Sequence, residues 1–105
     1  MIYYMIDFDP QPGVDRKRLT EAYRVFYEHI RDNFPVAKFK GLFAQDMLIG
    51  HGHQYFALWE LPDYAGLDRW KEFYTTDEVA KELTKELHYL GINWQAKIVT
   101  RVPIE

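Results

Sequence analysis

The segment from Tyr55 to Leu90 constrains the fold of this chain most. It begins with the apolar run YFALWEL, which is typical of a buried strand, and continues into a long helical pattern in two parts. Two of the three tryptophans and four of the eight tyrosines lie in this segment. Because aromatic side chains bury the most surface, we expect the core and any functional site to be built on it.

Capping signals divide the helical part of this segment. Asp63, which follows Pro62, is the predicted N-cap of the first helix, and Thr75 with Glu78 has the spacing of a capping box that starts a second one. Gly91 predicts a left-handed C-cap. The residues predicted to face inward are Leu67, Trp70, Phe73 and Tyr74, then Val79, Leu83, Leu87 and Leu90.

Four strands are predicted along the chain. Ile2 to Phe8 and His53 to Leu61 carry apolar residues on both faces, which is typical of central strands. Lys38 to Ile49 predicts a third strand, with Gly41 at a bulge or a bend. Asn93 to Val102 has one polar side and predicts an edge strand.

A further helix is predicted between the strands Ile2 to Phe8 and Lys38 to Ile49. Asp15 is its predicted N-cap, and Pro35 ends it. The element order is then β-α-β-β-α-β, which is the α+β, ferredoxin-like arrangement of a four-stranded antiparallel sheet with two helices on one face. At 105 residues the chain is expected to form a single domain, 1–105.

The two faces of this sheet pose a problem for a monomer. Two helices cover only one face, whereas the strands expected at the centre are apolar on both. A bare apolar face of this extent is unusual on a monomeric protein. We therefore predict a homodimer that forms through the sheet faces.

The composition argues against several classes of function. The net charge is −3, with 13 basic and 16 acidic residues, and we predict no nucleic-acid partner. The absence of cysteine excludes disulfides and thiolate metal sites and is consistent with a cytoplasmic location. No apolar run is long enough for a membrane span, and the first residues are acidic where a signal peptide is basic. An aromatic content of 17% exceeds what a small core needs and predicts a pocket or an interface.

Motifs along nearly the whole chain resemble the dimeric α/β-barrel superfamily. Pro12-Gly13-Val14-Asp15 leads into the first helix, and Leu58-Trp59-Glu60 is followed by a helix that carries Trp70 and by a break before Asp77-Glu78-Val79. That superfamily includes antibiotic-biosynthesis monooxygenases, haem-degrading enzymes, EthD-like proteins and stress-responsive barrel proteins. The resemblance implies a dimeric α/β barrel that holds a small molecule.

The haem-degrading members of that superfamily use an Asn, a Trp and a His. In this chain Trp70 matches the Trp, the Asn position falls on or near Asp7, and the His position falls near Leu83. His88 lies about 140° around the helix from Leu83, so it does not replace that ligand. Haem degradation is therefore less well supported than the other activities, and we predict no cofactor.

Asp7 lies between apolar neighbours in the first strand. Desolvation there would raise the proton affinity of its carboxylate and make it a candidate catalytic base. The alternative is a structural pair with Lys97 or Arg101 on the adjacent strand.

The other candidate site residues are aromatic or imidazole side chains. Trp59, Trp70 and Tyr74 are candidates for a wall that binds a planar ligand, although their spacing is also typical of core packing. Tyr3 is a further candidate for ligand binding. His88, beside the apolar stripe near the end of a helix, is a candidate catalytic residue, and a solvent-facing or capping histidine is the alternative.

No metal site is predicted from the sequence. His51-Gly52-His53 offers two imidazoles, but the sequence fixes no third ligand and an isolated H-x-H is a weak signal. The chain also has no phosphate-binding glycine loop, nucleophile elbow or dinucleotide fingerprint.

Two functions remain open at this point. In the first, the protein binds a small apolar or aromatic molecule and acts as a cofactor-independent monooxygenase or isomerase. Asp7 would take a proton, Trp70 and Tyr74 would hold the ring, and Tyr3 or His88 would stabilise an oxyanion. In the second, it is a non-catalytic binding or stress-responsive barrel protein. A cavity with both Asp7 and Trp70 on its wall would favour the first.

Overall fold

The computed structural model describes residues 1–45 and 53–104. The predicted element order is confirmed, with the second helix divided in two. The elements are β1 (Ile2–Pro10), α1 (Arg16–Asn33), β2 (Lys38–Ala44), β3 (Tyr55–Leu61), α2 (Tyr64–Thr76), α3 (Glu78–Leu90) and β4 (Gly91–Val99). None of the helices in this part of the chain has the length and apolar character needed to cross a membrane.

The four strands form one antiparallel sheet in the order β2-β3-β1-β4. This arrangement confirms the ferredoxin-like α+β prediction, with β1 and β3 at the centre and β4 at an edge. Gly41 lies at the predicted irregularity, with a φ of 137° and a shift of register between Phe39 and Gly41. The predicted hairpin residues Gly50 to Gly52 lie outside the described residues.

The helix starts follow from carboxylate N-caps, two of which the sequence predicts correctly. The side chains of Asp15 and Asp63 accept hydrogen bonds from backbone N–H groups in the first turns of α1 and α2. The capping box at Thr75 is wrong, because Asp77 caps α3 instead and accepts from the Ala80 N–H at 3.0 Å. The Thr75 hydroxyl donates back to carbonyl oxygens of its own helix.

The prediction of a left-handed C-cap at Gly91 is also wrong. Gly91 has an extended backbone, with φ −128° and ψ 162°, and begins β4 directly. The residue that adopts a positive φ is Asn93, at 58°. A glycine is needed at position 91 for space, because an added Cβ would lie 2.5 Å from the Trp94 ring and 2.9 Å from the Phe8 ring.

One face of the sheet, which we call the covered face, packs against the helices. Its strand residues include the fully buried Phe8, Trp59 and Leu61. Leu87 and Leu90 of α3 are buried as predicted, whereas Val79 is 53% exposed and does not face inward. Val79 lies in the first turn of α3, where that helix has only just begun.

The opposite side of the sheet, which we call the open face, carries no helix among the described residues. The strand register places on it every second residue of the central strands, which are Tyr3, Met5 and Asp7 of β1 and Phe56, Leu58 and Glu60 of β3. All six are partly exposed. The open face is therefore a mixture of apolar side chains and acids.

Candidate functional site

A cavity of about 460 Å³ lies between the covered face of the sheet and the helices. Its volume falls in the range that is typical of small-molecule sites, about 300–1,000 Å³. The residues that line it are Tyr4, Ile6, Tyr23, Phe26, Trp59, Trp70, Tyr74, Thr84, Leu87, His88, Trp94, Gln95 and Ala96.

A larger groove, of about 710 Å³, runs along the outside of α1 and α3. It is lined mainly by exposed charged side chains, including Lys17, Glu21 and Glu86. The groove is shallow and its charged side chains are solvated, so a ligand there would stay largely in contact with water. We therefore place the candidate site in the smaller cavity.

Secondary-structure periodicity explains how these residues come together. Tyr4 and Ile6 are two apart in β1 and so point to the same face of the sheet. Trp70 and Tyr74 are four apart in α2, and Thr84 and His88 are four apart in α3, so each pair lies on one side of its helix. The sheet and the two helices thus supply opposite walls of the cavity.

Trp70 is the centre of the aromatic wall. Its ring lies 4.7 Å from that of Trp59, between centroids, and meets the rings of Tyr4 and Tyr74 edge to face at 5.7 Å and 5.2 Å. Edge-to-face contacts of this kind add about 0.5–1.5 kcal/mol each beyond the burial of area. The contacts fix the orientation of Trp70 before any ligand enters.

His88 and Trp94 form a second stack at the other side of the cavity. Their rings are nearly parallel, at 11°, with centroids 5.3 Å apart. Trp94 also stacks on Phe8 at 4.5 Å, and its indole N–H donates to the Gly91 carbonyl oxygen at 3.0 Å. His88 is an exposed residue, as in the solvent-facing alternative, and its imidazole stacks on Trp94 beside the empty volume.

The polar groups of the cavity include neutral hydroxyls, which can both donate and accept hydrogen bonds. Burial raises the pKa of Tyr74 from 10.0 to about 12, and the adjacent Tyr4 adds to this rise. Burial likewise raises the pKa of Tyr4 and of Tyr23. All three hydroxyls stay protonated at neutral pH. Trp70 is 1% exposed, and its indole Nε1 is the single buried side-chain nitrogen or oxygen without a partner among residues 1–45 and 53–104.

The structure brings together four of the six predicted site residues. Trp59, Trp70, Tyr74 and His88 all line the cavity. Asp7 and Tyr3 do not, because the alternation of β1 turns them to the open face. The predicted cavity wall that contains both Asp7 and Trp70 is therefore not observed.

Asp7 instead forms a structural ion pair, which was the predicted alternative to a catalytic role. Its Oδ2 lies 3.5 Å from the Lys97 Nζ, on the neighbouring strand β4. Asp7 and Lys97 lie on the open face, where Gln95 and Phe56 are the cross-strand partners of Asp7. The carboxylate thus has a cation beside it and no contact with the cavity.

Several residues of the wall were not predicted from the sequence. Tyr4 and Ile6 share a strand face with Phe8, and Trp94 and Ala96 share a face of β4. The period-two alternation of the sequence therefore groups these residues correctly. What it does not show is which face the helices cover. The odd residues of β1 include Asp7 whereas the even ones are all apolar or aromatic, but both sets are largely apolar, and the packing of the helices decides between them.

The described residues do not fit a metal or a haem group. No three His, Cys, Asp or Glu side chains of residues 1–45 and 53–104 are grouped around a point. His51 and Gly52 of the H-x-H motif lie outside these ranges. Leu83, near the position of the axial histidine of haem-degrading proteins, is aliphatic, and the described cavity wall holds no Lys or Arg that would pair with haem propionates.

The fold and the cavity together define a ferredoxin-like α+β protein with an aromatic pocket. No family model matches the sequence, and no curated protein matches it either. Solved structures do match, among them an uncharacterised NIPSNAP domain protein from Burkholderia xenovorans, with 16% identity, a TM-score of 0.75, and coverage of 97% of this chain and 95% of that one.

Two further solved structures agree with this assignment. A protein from Arabidopsis thaliana has 8% identity and a TM-score of 0.78, over 100% of this chain and 99% of that one. A dimeric ferredoxin-like protein of unknown function from Thermobifida fusca has 12% identity and a TM-score of 0.67, over 95% and 90%. At these identities the likeness shows the fold.

Proposed function

We propose that this protein binds a small, planar, mostly apolar molecule in the cavity, and that it does so as a homodimer. The observation that carries the proposal is an empty volume of about 460 Å³ beside two tryptophans that are each only 1% exposed. The volume opens to the surface where His88, Gln95 and Ala96 are exposed, and clefts of this size with apolar walls are typical of small-molecule sites. An aromatic-walled cavity of this size in a small domain is therefore best explained by a ligand.

The chemistry of the walls favours an aromatic ligand. Trp59, Trp70 and Tyr74 present ring faces and edges around the volume, and Leu87 and Ile6 supply aliphatic contact. A flat ring stacks on such surfaces and buries most of its own area. The rings are already held by one another, so little side-chain ordering opposes binding.

The homodimer is proposed from the composition of the open face. Leu58 and Met5 are direct cross-strand partners at its centre, and Phe43 stacks on Phe56 with centroids 4.8 Å apart. A contiguous apolar surface with charges around it is typical of a protein interface. The Thermobifida fusca protein, which has this fold, is described as dimeric.

Ion pairs on the open face support a second copy of this chain as the occupant. Lys97 lies 3.5 Å from Asp7, and Lys40 lies 3.7 Å from Glu60, between Nζ and carboxylate oxygen. Each face therefore carries both signs of charge, and two copies related by a twofold axis can match them. In this arrangement Asp7 and Tyr3 belong to the subunit interface.

Catalysis by proton transfer is a second candidate, because His88 lies on the cavity wall with Tyr74 and Trp70. As an isomerase, the protein would use His88 to remove a proton from a carbon next to a carbonyl group and to return it at another position. The Tyr74 hydroxyl or the Trp70 indole N–H would donate to the oxyanion. A cofactor-independent monooxygenase would use the same base on a phenol, with molecular oxygen as the oxidant.

The binding proposal is tested by filling the cavity. We expect 2-ethylnaphthalene to quench tryptophan fluorescence of the wild-type protein, and Ala96→Phe, which adds a ring from the sheet side, to weaken this binding by at least about 10-fold. Ala44→Phe, in the edge strand β2 and away from the cavity, is the matched control and should bind as the wild type does. Failure of the wild type to bind would overturn the proposal.

His88→Gln separates binding from catalysis. If the protein is an isomerase or a monooxygenase, this variant should lose turnover of a ketone or phenol by at least about 100-fold while its affinity changes little. Equal turnover in both proteins would end the catalytic candidate and leave the binding function standing.

A further inference from the structure

We propose that the ligand of the cavity is a neutral aromatic compound that carries a hydrogen-bond acceptor, such as an aryl ketone or aldehyde, and that Trp70 recognises the acceptor through its indole N–H. This inference rests on the proposed binding function and names the class of ligand. Three independent observations support it.

The first observation is the unpaired donor. The Trp70 indole N–H is buried and has no partner among the described residues, although the residue lines the cavity. A buried donor without a partner costs about 1–3 kcal/mol, so such groups are rare in native proteins. The rings of Tyr4, Trp59 and Tyr74 that surround the indole keep it in place. An acceptor on the ligand would satisfy it.

The contrast with Trp94 supports this interpretation. Trp94 lines the same cavity, but its indole N–H already donates to the Gly91 carbonyl oxygen at 3.0 Å. The chain therefore pairs one of these two donors internally and leaves the other unpaired. Trp70 is 1% exposed, so bulk water does not reach its nitrogen at the surface.

The second observation is the absence of charge in the described wall. Among residues 1–45 and 53–104, no Lys, Arg, Asp or Glu side chain lines the cavity, and His88 is the one imidazole that does. The one cation seen close to a wall ring is Lys71, whose Nζ lies 5.3 Å from the ring centroid of Tyr4. A carboxylate or an ammonium group in the cavity would be desolvated without a partner, and this is costly. The described wall therefore favours a neutral ligand.

The third observation is the presence of neutral hydroxyl donors in the wall. Tyr4 and Tyr74 line the cavity, and their hydroxyls stay protonated, because burial opposes the phenolate. The Thr84 hydroxyl already donates to the Ala80 carbonyl oxygen at 2.7 Å, so it is left as an acceptor. An acceptor on the ligand therefore has hydroxyl donors in the wall as well as the Trp70 indole N–H.

Three probes of one shape test the inference: 2-acetylnaphthalene, which is a neutral acceptor, 2-ethylnaphthalene, which has no acceptor, and 2-naphthoate, which is an anion. We expect Trp70→Phe, which keeps a ring but removes the N–H, to lower the affinity ratio of the acetyl to the ethyl compound by about 3- to 10-fold. Comparison of the two proteins cancels differences in the aqueous solubility of the probes. We also expect 2-naphthoate to bind the wild type at least about 10-fold more weakly than the acetyl compound.

Trp94→Phe is the matched control, because the indole N–H that it removes is already paired inside the chain. It should weaken both neutral probes alike and leave their ratio unchanged. The inference would be overturned by an unchanged affinity ratio of the acetyl to the ethyl compound in Trp70→Phe, or by 2-naphthoate binding as tightly as 2-acetylnaphthalene. In either case, binding of 2-ethylnaphthalene to the wild type would still uphold the proposed function. Failure of every probe to bind the wild type would overturn both.

An NMR measurement on the wild type keeps the test independent of how well the variants fold. In the ¹⁵N-labelled protein we expect one of the indole N–H proton signals to move downfield with 2-acetylnaphthalene but not with 2-ethylnaphthalene. Equal responses to the two compounds would show that the acceptor of the ligand does not reach an indole N–H, and would overturn the inference.

Discussion

The covered and open faces of the sheet are built from the same two central strands, but they differ in what surrounds their aromatic side chains. On the covered face Trp59 and Trp70 pack ring against ring beside an empty volume, without charged neighbours in the described wall. On the open face Phe43 and Phe56 stack among two ion pairs and stay partly exposed. The covered face is thus suited to enclose a small molecule, and the open face to meet a flat, charged partner surface.

This difference shows how a small domain can obtain two functional surfaces from one sheet. Strand alternation sends successive residues of β1 to opposite faces, so Tyr4 lines the cavity and Tyr3 lies on the open face. Binding and association then depend on separate residues, and a substitution on one face should leave the other intact. Substitutions on each face test that independence.

The largest expected effect comes from truncation of a ring on the covered face. Phe8 is fully buried and stacks on three aromatic rings, so Phe8→Ala should lower the free energy of unfolding by about 3–5 kcal/mol. Phe43→Ala, the matched truncation on the open face where the ring is 42% exposed, should cost about 1 kcal/mol or less at the same protein concentration. Urea unfolding measures both. Equal losses would show that the faces do not differ as described.

The next effect concerns association. Leu58→Glu places a charge at the centre of the open face, and a buried charge without a partner costs about 3–5 kcal/mol. The dimer dissociation constant should therefore rise by at least about 100-fold, since each 1.4 kcal/mol corresponds to about tenfold. Tyr89→Glu, on the outside of α3 at a residue that is 71% exposed, is the control. Sedimentation equilibrium would contradict the proposed interface if the two variants associated alike.

The smallest effect concerns acid stability at the junction of α2 and α3, whose residues form the helical wall of the cavity. The pKa of Asp77 lies below its usual 3.8. The larger cause is the hydrogen bond from the Ala80 backbone N–H to its carboxylate, and the second is His29, whose Nε2 lies 2.7 Å from the Asp77 Oδ2. A carboxyl group with a lowered folded-state pKa stabilises the protein above about pH 4, and this stabilisation is lost as the pH falls through the folded-state value.

Asp77→Asn should therefore be less stable than the wild type at about pH 7, and the difference should shrink as the pH falls below about 4. Thermal unfolding across this range measures it. Asp68→Asn, an exposed change in α2, controls for the loss of a negative charge. A difference between Asp77→Asn and wild type that grows towards low pH would contradict the assigned role of the carboxylate.

Much of the fold could be predicted from the sequence, because the signals that specify it are local. The alternation of β1, the helical spacing from Leu67 to Tyr74 and the carboxylate caps at Asp15 and Asp63 all correspond to the structure. The errors occur where several groups compete at one point. Asp77 rather than Thr75 caps α3, since its carboxylate reaches the Ala80 N–H.

The site was harder to predict, because it depends on contacts between distant segments. Trp70 and Tyr74 follow from helix spacing, but the exclusion of Asp7 depends on which side of the sheet the helices occupy. The need for glycine at position 91 was equally hard to predict, because it comes from the close approach of the Phe8 and Trp94 rings rather than from the backbone angles of Gly91. Packing across the fold, rather than any short motif, determines these positions.

Native mass spectrometry of the purified protein tests the central claim most directly, because it reports association and ligand content together. The account predicts a species of twice the 12.6 kDa chain mass that takes up one molecule of 2-acetylnaphthalene per chain. A species of single-chain mass at micromolar concentration, with no uptake of the aromatic probe, would contradict both roles assigned to the sheet.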